Sequence, residues 1–263
     1  MRSRVIGIAY KALGAFCLRG AAANRCGIGH HVLHFRPGAV ARFHGEESGL
    51  RQFDTHLIGV MGRNTGRAEF LQQPDPAQRF AGRSGPLKLL VLGGSLGAEP
   101  LNKLLPAALE KIPADLRPQV FHQAGKQHAE ITAERYRDAA VEAEVAPFIK
   151  DMARAYGWAD LVVCRAGALT VSELAAAGLP SFLVPLPHAI DDHQSRNAEY
   201  LAKEGAAVLL AQHATDADTL AAQLTEVLMH LEKLNVMGAT ARRLAKPDAT
   251  RTVVDICQEV MRG

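Results

Sequence analysis

The sequence predicts an α/β protein in which residues 86–263 form a doubly wound, Rossmann-like parallel sheet, preceded by a poorly formed or partial segment, residues 1–85. Three observations predict it. Six short apolar runs alternate with amphipathic stretches from Pro86 onward, the order expected of βαβ units. Lys88–Leu92, Leu161–Cys164, Ser181–Val184 and Ala207–Leu210 are largely apolar rather than alternating, which suits strands covered on both faces. Glycines also fall where strands or helices end, as in Gly93-Gly94, Gly167 and Gly178.

Taken in order, Lys88–Leu92 is a buried strand ending in a tight glycine turn. Leu101, Leu104, Leu105 and Leu109 then form one stripe of a helix from Ala98 to about Ile112. The alternation continues with strand Gln119–Gln123, helix His128–Asp138, strand Glu142–Phe148, helix Asp151–Trp158 and strand Leu161–Cys164. Helix Leu169–Ala177 is stopped by Gly178, and strand Ser181–Val184 follows Leu179-Pro180. Helix Gln194–Glu204, strand Ala207–Leu210 and helices Asp216–Leu231, Leu234–Leu244 and Ala249–Arg262 complete the chain. In such a sheet, ligands bind outside the carboxyl ends of the strands. The loops after Leu92, Phe148, Cys164 and Pro185 are therefore the ones to inspect. His122 and Trp158 read as core or core-edge residues, and Glu142–Glu144 as a solvated face.

Composition narrows the class. The chain has 263 residues, 48% hydrophobic and 22% charged, enough for a substantial core. Its four cysteines have neither a paired disulfide spacing nor a C-x2-C zinc pattern. No apolar run reaches membrane-spanning length, so the cytoplasm is the expected compartment. The net charge of +3 hides an asymmetry: residues 1–85 carry 12 basic and 5 acidic residues, whereas residues 86–263 carry 18 and 22. The basic first part lacks the aromatic interleaving and regular basic face of a nucleic-acid surface, so no nucleic-acid partner is expected. It also shows neither period 2 nor period 3.6, and no self-sufficient core can be built from it.

Three constellations carry chemistry. Gly93-Gly94-Ser95-Leu96-Gly97-Ala98 joins a strand to a helix, where open N–H groups receive a phosphate or diphosphate and Ser95 adds a hydroxyl. It is neither a dinucleotide fingerprint nor a P-loop, and an ordinary tight turn is an equal alternative. The second is Arg165-Ala166-Gly167 running into Ala168, Leu169, Thr170, Val171, Ser172 and Glu173. Here Glu173 is placed to accept hydrogen bonds from the vicinal hydroxyls of a ribose, though Thr170 and Glu173 also stand in capping-box spacing. The third is the proline-bounded loop before His193, Gln194 and Asn197, whose side chains share one helix face and can read a sugar's hydroxyls. His188, Asp191, Asp192 and His193 lack a zincin spacing, so no metal is expected.

These stretches resemble the UDP-N-acetylglucosamine–N-acetylmuramyl-(pentapeptide) pyrophosphoryl-undecaprenol N-acetylglucosamine transferases, MurG-type glycosyltransferases of GT-B architecture. The resemblance runs from about Gly85 to Met261 and is most specific in LVLGGSLGAEPLN, PFIKDMARAYGWADLVVCRAGALTVSELAAAGLP and DDHQSRNAEYLAKEGAA. It implies the donor-binding half of a hexosyltransferase of peptidoglycan synthesis. Such an enzyme acts in cell-wall biogenesis, cell shape and division, on the inner face of the cell membrane. The donor would be UDP-N-acetylglucosamine, the acceptor a lipid-linked saccharide, with no cofactor and with cell-wall synthesis proteins as candidate partners. By motif, Ser95 matches the diphosphate contact, Ile149 the position whose backbone meets uracil, and Ala168 to Glu173 the segment along the nucleotide. His193 and Gln194 match the sugar-reading pair, where the family often has Gln at the first position. Asn197 matches a polar site on the same helix, and Arg67 keeps its place after the family's hinge.

The departures lie in the first part. The family's G-G-T-G-G-H loop, with its candidate general base, and its H-E-Q-N motif are missing. The V-G-N-P-V-R hinge reads Gly62-Arg-Asn-Thr-Gly-Arg67. Residues 1 to about 66 thus read as a remnant of the acceptor-binding domain, out of frame or disordered, and the catalytic residues stay unassigned. The resemblance then implies donor binding with impaired transfer; the alternatives are a UDP-sugar-binding remnant without catalysis and a UDP-sugar 2-epimerase.

Overall fold

The computed structural model describes residues 67–81, 84–94, 96–187, 192–249 and 251, and the backbone of a two-residue antiparallel ladder, β1 (Ala41–Arg42) with β2 (Gln52–Phe53). The reading of residues 1–66 as a frameshifted or disordered remnant falls outside the described residues, as do Ser95, His188 and Asp191.

Six parallel strands form the sheet: β3 (Lys88–Leu92), β4 (Gln119–Gln123), β5 (Ala143–Ala146), β6 (Leu161–Cys164), β7 (Ser181–Leu183) and β8 (Ala207–Leu209). Their spatial order is β5-β4-β3-β6-β7-β8. The order reverses between β3 and β6, which is the doubly wound arrangement with its switch point at that pair. The strand alternation explains the two cores. Leu89 and Val91 point into one cluster, with Leu101, Leu105 and Leu109 of α3 (Glu99–Glu110), Tyr136 of α4 (Ala129–Asp138), and Leu220 and Leu224 of α8 (Ala217–Leu228). Leu90 and Leu92 point into the other, with Tyr156 of α5 (Met152–Trp158), Leu174 of α6 (Ala168–Ala177), Leu201 of α7 (His193–Ala202) and Ala241 of α9 (Leu231–Leu244). Each strand side chain thus reaches the opposite core from its neighbour, as the pleat demands.

Many boundaries shift by one or two residues from the sequence reading, and three of the differences are informative. Strand β5 stops at Ala146 rather than Phe148, because Pro147 has no N–H to continue the ladder. Helix α8 stops at Leu228 and α9 starts at Leu231, so the break lies at Met229-His230, three residues earlier than the periodicity indicated. Helix α6 begins at Ala168, one residue early, with consequences for the site. His122 is fully buried and Trp158 half-buried, while Glu142 and Glu144 are exposed.

Two short helices precede the sheet, α1 (Arg67–Leu71) and α2 (Pro76–Phe80), the second capped by Asp75. They pack on α6 and α9 rather than standing apart. Two arginines tie them down. Arg242 of α9 donates to the carbonyls of Leu71 and Gln73, both at 3.0 Å. Arg79 of α2 donates to Ala159 O at 2.7 Å and Tyr156 O at 3.0 Å. Each guanidinium serves carbonyls that would otherwise lie half-buried without a donor.

Candidate functional site

The sheet register brings the unusual loops to one edge. Leu92 pairs with Gln123 on one side and Cys164 on the other, Gln123 with Ala146, and Cys164 with Leu183. The chain segments leaving these five strands therefore emerge side by side, centred on the switch point.

The first of them is held by backbone contact. The Gly93 N–H donates to Gln123 O at 3.1 Å, and the turn crosses over the segment after β4. Gly97 has φ +80°, and a Cβ there would lie 2.1 Å from the carbonyl oxygen of Ala124. Gly125, with φ +88°, faces it, its own Cβ position 2.6 Å from Gly97 N. Only residues without a side chain let the two turns approach this closely. Fully buried Asn102 fastens the contact, donating its Nδ2 to Ala124 O at 3.0 Å. Gly94, in contrast, has φ +82° and nothing within 4 Å of a Cβ.

The two helix N-termini at the switch point differ. Helix α3 carries Glu99 in its first turn, 3.0 Å from Arg135. The hydrogen bond from that guanidinium holds the Glu99 carboxyl below its ordinary range. Helix α6 has no acidic residue in its first turn, and its N-cap, Gly167, offers no side chain to cap it. The first helical bond runs from Val171 N to Gly167 O. The N–H groups of Ala168, Leu169 and Thr170 thus point out of the helix at its positive end. Thr170 is the third helical residue, so the T-x-x-E spacing is not a capping box. Val171 is buried, Ser172 donates to Ala168 O at 2.9 Å, and Glu173 stands half-buried one turn further in.

Around this helix lie residues the sequence reading singled out and others it did not. Ile149 is buried, and its N–H donates to the side-chain oxygen of buried Gln123 at 3.0 Å. Gln194 accepts from Leu186 N at 3.0 Å and Asn197 donates to Ala166 O at 3.0 Å, so both helix residues also brace the loops beside them. His193 opens α7 and is exposed. Arg67 opens α1, and its side chain lies outside the described residues. Sequence reasoning missed three positions. Gln123 ends its strand at the ligand edge, where a polar side chain can reach the neighbouring loop. Arg165, which donates to Val184 O at 3.1 Å and Gln212 Oε1 at 2.6 Å, was passed over within its motif. Tyr156, whose hydroxyl donates to Glu173 Oε2 at 3.2 Å, looks like any core aromatic. Among the described residues, no three His, Cys, Asp or Glu side chains are placed to share a metal ion, and no helix is long and apolar enough to cross a membrane.

Comparison with known proteins agrees with this geometry. The model of the glycosyltransferase family 28 C-terminal domain matches residues 88–253. The chain is 90% identical over 188 residues to a protein of Ectopseudomonas mendocina, covering 72% of this chain and 52% of that one. A protein of Stutzerimonas stutzeri is 82% identical over 212 residues, 80% of this chain and 59% of that one. Both are named UDP-N-acetylglucosamine–N-acetylmuramyl-(pentapeptide) pyrophosphoryl-undecaprenol N-acetylglucosamine transferase. The chain thus spans somewhat over half the length of these curated relatives. The crystal structure of Acinetobacter baumannii MurG superposes with a TM-score of 0.67 at 44% identity, over 72% of this chain and 55% of that one. The family model covers more than half of the chain, which belongs to the glycosyltransferase family 28 C-terminal domain family.

Proposed function

We propose that this chain supplies the donor-binding half of a glycosyltransferase that moves N-acetylglucosamine from UDP-N-acetylglucosamine to lipid-linked N-acetylmuramoyl-pentapeptide in peptidoglycan synthesis. One observation carries the reading: at the switch point, α6 offers an uncapped N-terminus free of acidic residues, with Glu173 one turn inside. The diphosphate would lie on the amides of Ala168 to Thr170, where the helix dipole stabilises the charge gathering on the leaving UDP without a metal or cofactor. Glu173 would accept the ribose hydroxyls. The uracil would lie against Ile149, whose N–H is already taken by Gln123, so the base would meet its carbonyl. Gln194 and Asn197 would border the sugar with His193 beside them, and the Ser95 hydroxyl would add a donor to the diphosphate. Arg67 would keep its place beside the hinge between the two halves.

In the reaction, the acceptor's 4-hydroxyl loses its proton to a base and attacks the anomeric carbon, while the bond to the UDP oxygen breaks. We assign no catalytic base among the described residues. The acceptor places the enzyme at the cytoplasmic face of the membrane, where cell-wall synthesis proteins are its candidate partners. The high identity to relatives named as transferases supports this reading over an epimerase.

Calorimetry with UDP-N-acetylglucosamine beside a transfer assay on a lipid I analogue tests the proposal. Binding is expected. Turnover shows a complete enzyme, whereas binding without turnover leaves a donor-binding remnant, and no binding sinks the donor reading altogether. Glu173→Ala is expected to weaken UDP binding by about 1–3 kcal/mol, the range for hydrogen bonds to a charged acceptor. Unchanged affinity in that variant removes Glu173 from the site.

A further inference from the structure

A glutamate on the face of a helix has three rotatable bonds, and fixing it costs rotamer entropy. A ribose-binding carboxylate held in one rotamer beforehand avoids that loss on binding. The fold provides a holder. Tyr156 of α5 is fully buried, and its ring meets Phe70 of α1 edge-on, with centroids 5.4 Å apart and planes at 69°. A phenol this deep must find a hydrogen-bond partner. It finds one 17 residues along the chain, in Glu173 on the neighbouring helix.

Resting on the donor reading above, we propose that Tyr156 is a positioning residue for nucleotide recognition, its hydroxyl bonded at 3.2 Å to Glu173 Oε2 and fixing the carboxylate in the rotamer that meets the ribose 2′- and 3′-hydroxyls. Two further features agree. Burial, reinforced by the Glu173 charge, pushes the Tyr156 hydroxyl well above its ordinary range, so it stays protonated as a donor at every physiological pH. The buried Cys164 thiol at the end of β6 is pushed up to about 12, by burial first and by the Glu173 carboxylate second. Phe70 extends the chain of contacts outward, so helix α1 braces the ring that braces the carboxylate.

The test compares UDP with 2′,3′-dideoxyuridine diphosphate by calorimetry on the full chain. Tyr156→Phe keeps the ring against Phe70 and removes only the hydroxyl. It is expected to weaken UDP about tenfold, the equivalent of roughly 1.4 kcal/mol, and to leave the dideoxy analogue unchanged. Phe70→Leu, which keeps the hydroxyl but loosens the ring, is expected to fall between this variant and the parent. Equal weakening of both ligands by Tyr156→Phe, or no change in either, overturns the positioning role. Glu173→Ala separates the two levels. If it abolishes the preference for UDP while Tyr156→Phe does not touch it, Glu173 binds ribose without help from Tyr156. If it leaves the preference intact, the ribose reading fails and this inference falls with it.

Discussion

Gly97→Ala is expected to destabilise the fold by about 3–5 kcal/mol, combining the penalty for a non-glycine residue at positive φ with overpacking. At φ +80° an alanine is strained wherever it sits, and here its Cβ would also fall 2.1 Å from Ala124 O. That oxygen is backbone, fixed by the Asn102 side chain at 3.0 Å, so it has no rotamer into which it can retreat. The two turns would have to separate, and the helix following β3 would shift with them. For a domain of this size the loss corresponds to a melting temperature lower by about 10 °C or more. Gly94→Ala is the internal control. It shares the positive φ, +82°, but nothing lies within 4 Å of the added methyl. Its cost should stay near the conformational penalty alone, about 1–2 kcal/mol. Equal melting temperatures for the two variants would falsify the close approach of the turns.

Acid should weaken the fold well above the carboxylate range, through one buried pair. His122 is completely buried, its Nδ1 2.9 Å from the hydroxyl of buried Tyr136, and its Nε2 has no hydrogen-bond partner. Burial lowers its pKa from 6.5 to about 3. The unfolded chain therefore takes up a proton below pH 6.5 that the folded chain refuses. The stabilisation is whole above that pH and is lost as pH falls toward the folded value. Linkage gives a loss of about 2 kcal/mol between pH 7.5 and 5. Urea unfolding across that window should show the slope. Replacing both partners, His122→Phe with Tyr136→Phe, removes the titration without leaving one polar atom stranded. The difference between parent and double variant isolates the pair, and parallel pH profiles would show that His122 charges freely in the folded state.

The sheet was legible because its signal is local. Leu89 to Leu92, Leu161 to Cys164, Phe182 to Val184 and Ala207 to Leu210 are short apolar runs set between helical stretches, so parallel pairing follows from the crossover connections. Glu173 and the glycine turn were legible for the same reason, since each sits within a few residues of the strand that presents it. Tyr156 was not, because its meaning depends on a partner carried by another helix. Gln123 resembled an ordinary strand terminus, although its side chain holds Ile149 from 26 residues away. The start of α6 lies one residue before the Leu169 that the sequence pattern indicated. The actual cap is Gly167, which signals nothing through a side chain.

The anchoring of α1 and α2 bears on what counts as one heritable, foldable piece. The family's C-terminal domain model matches from residue 88, and a change in composition at Gly85 points to the same place. The interior does not end there. Phe70 and Phe80 are core residues, Arg242 spends its guanidinium on Leu71 and Gln73, and Gly178 abuts Pro76. A recombination or gene fusion that joined the domain at residue 88 would carry away part of its own interior and open an apolar seam along α6 and α9. The cooperative folding unit reaches about twenty residues ahead of residue 88, and exchange between relatives is better tolerated before Arg67 than after Gly85.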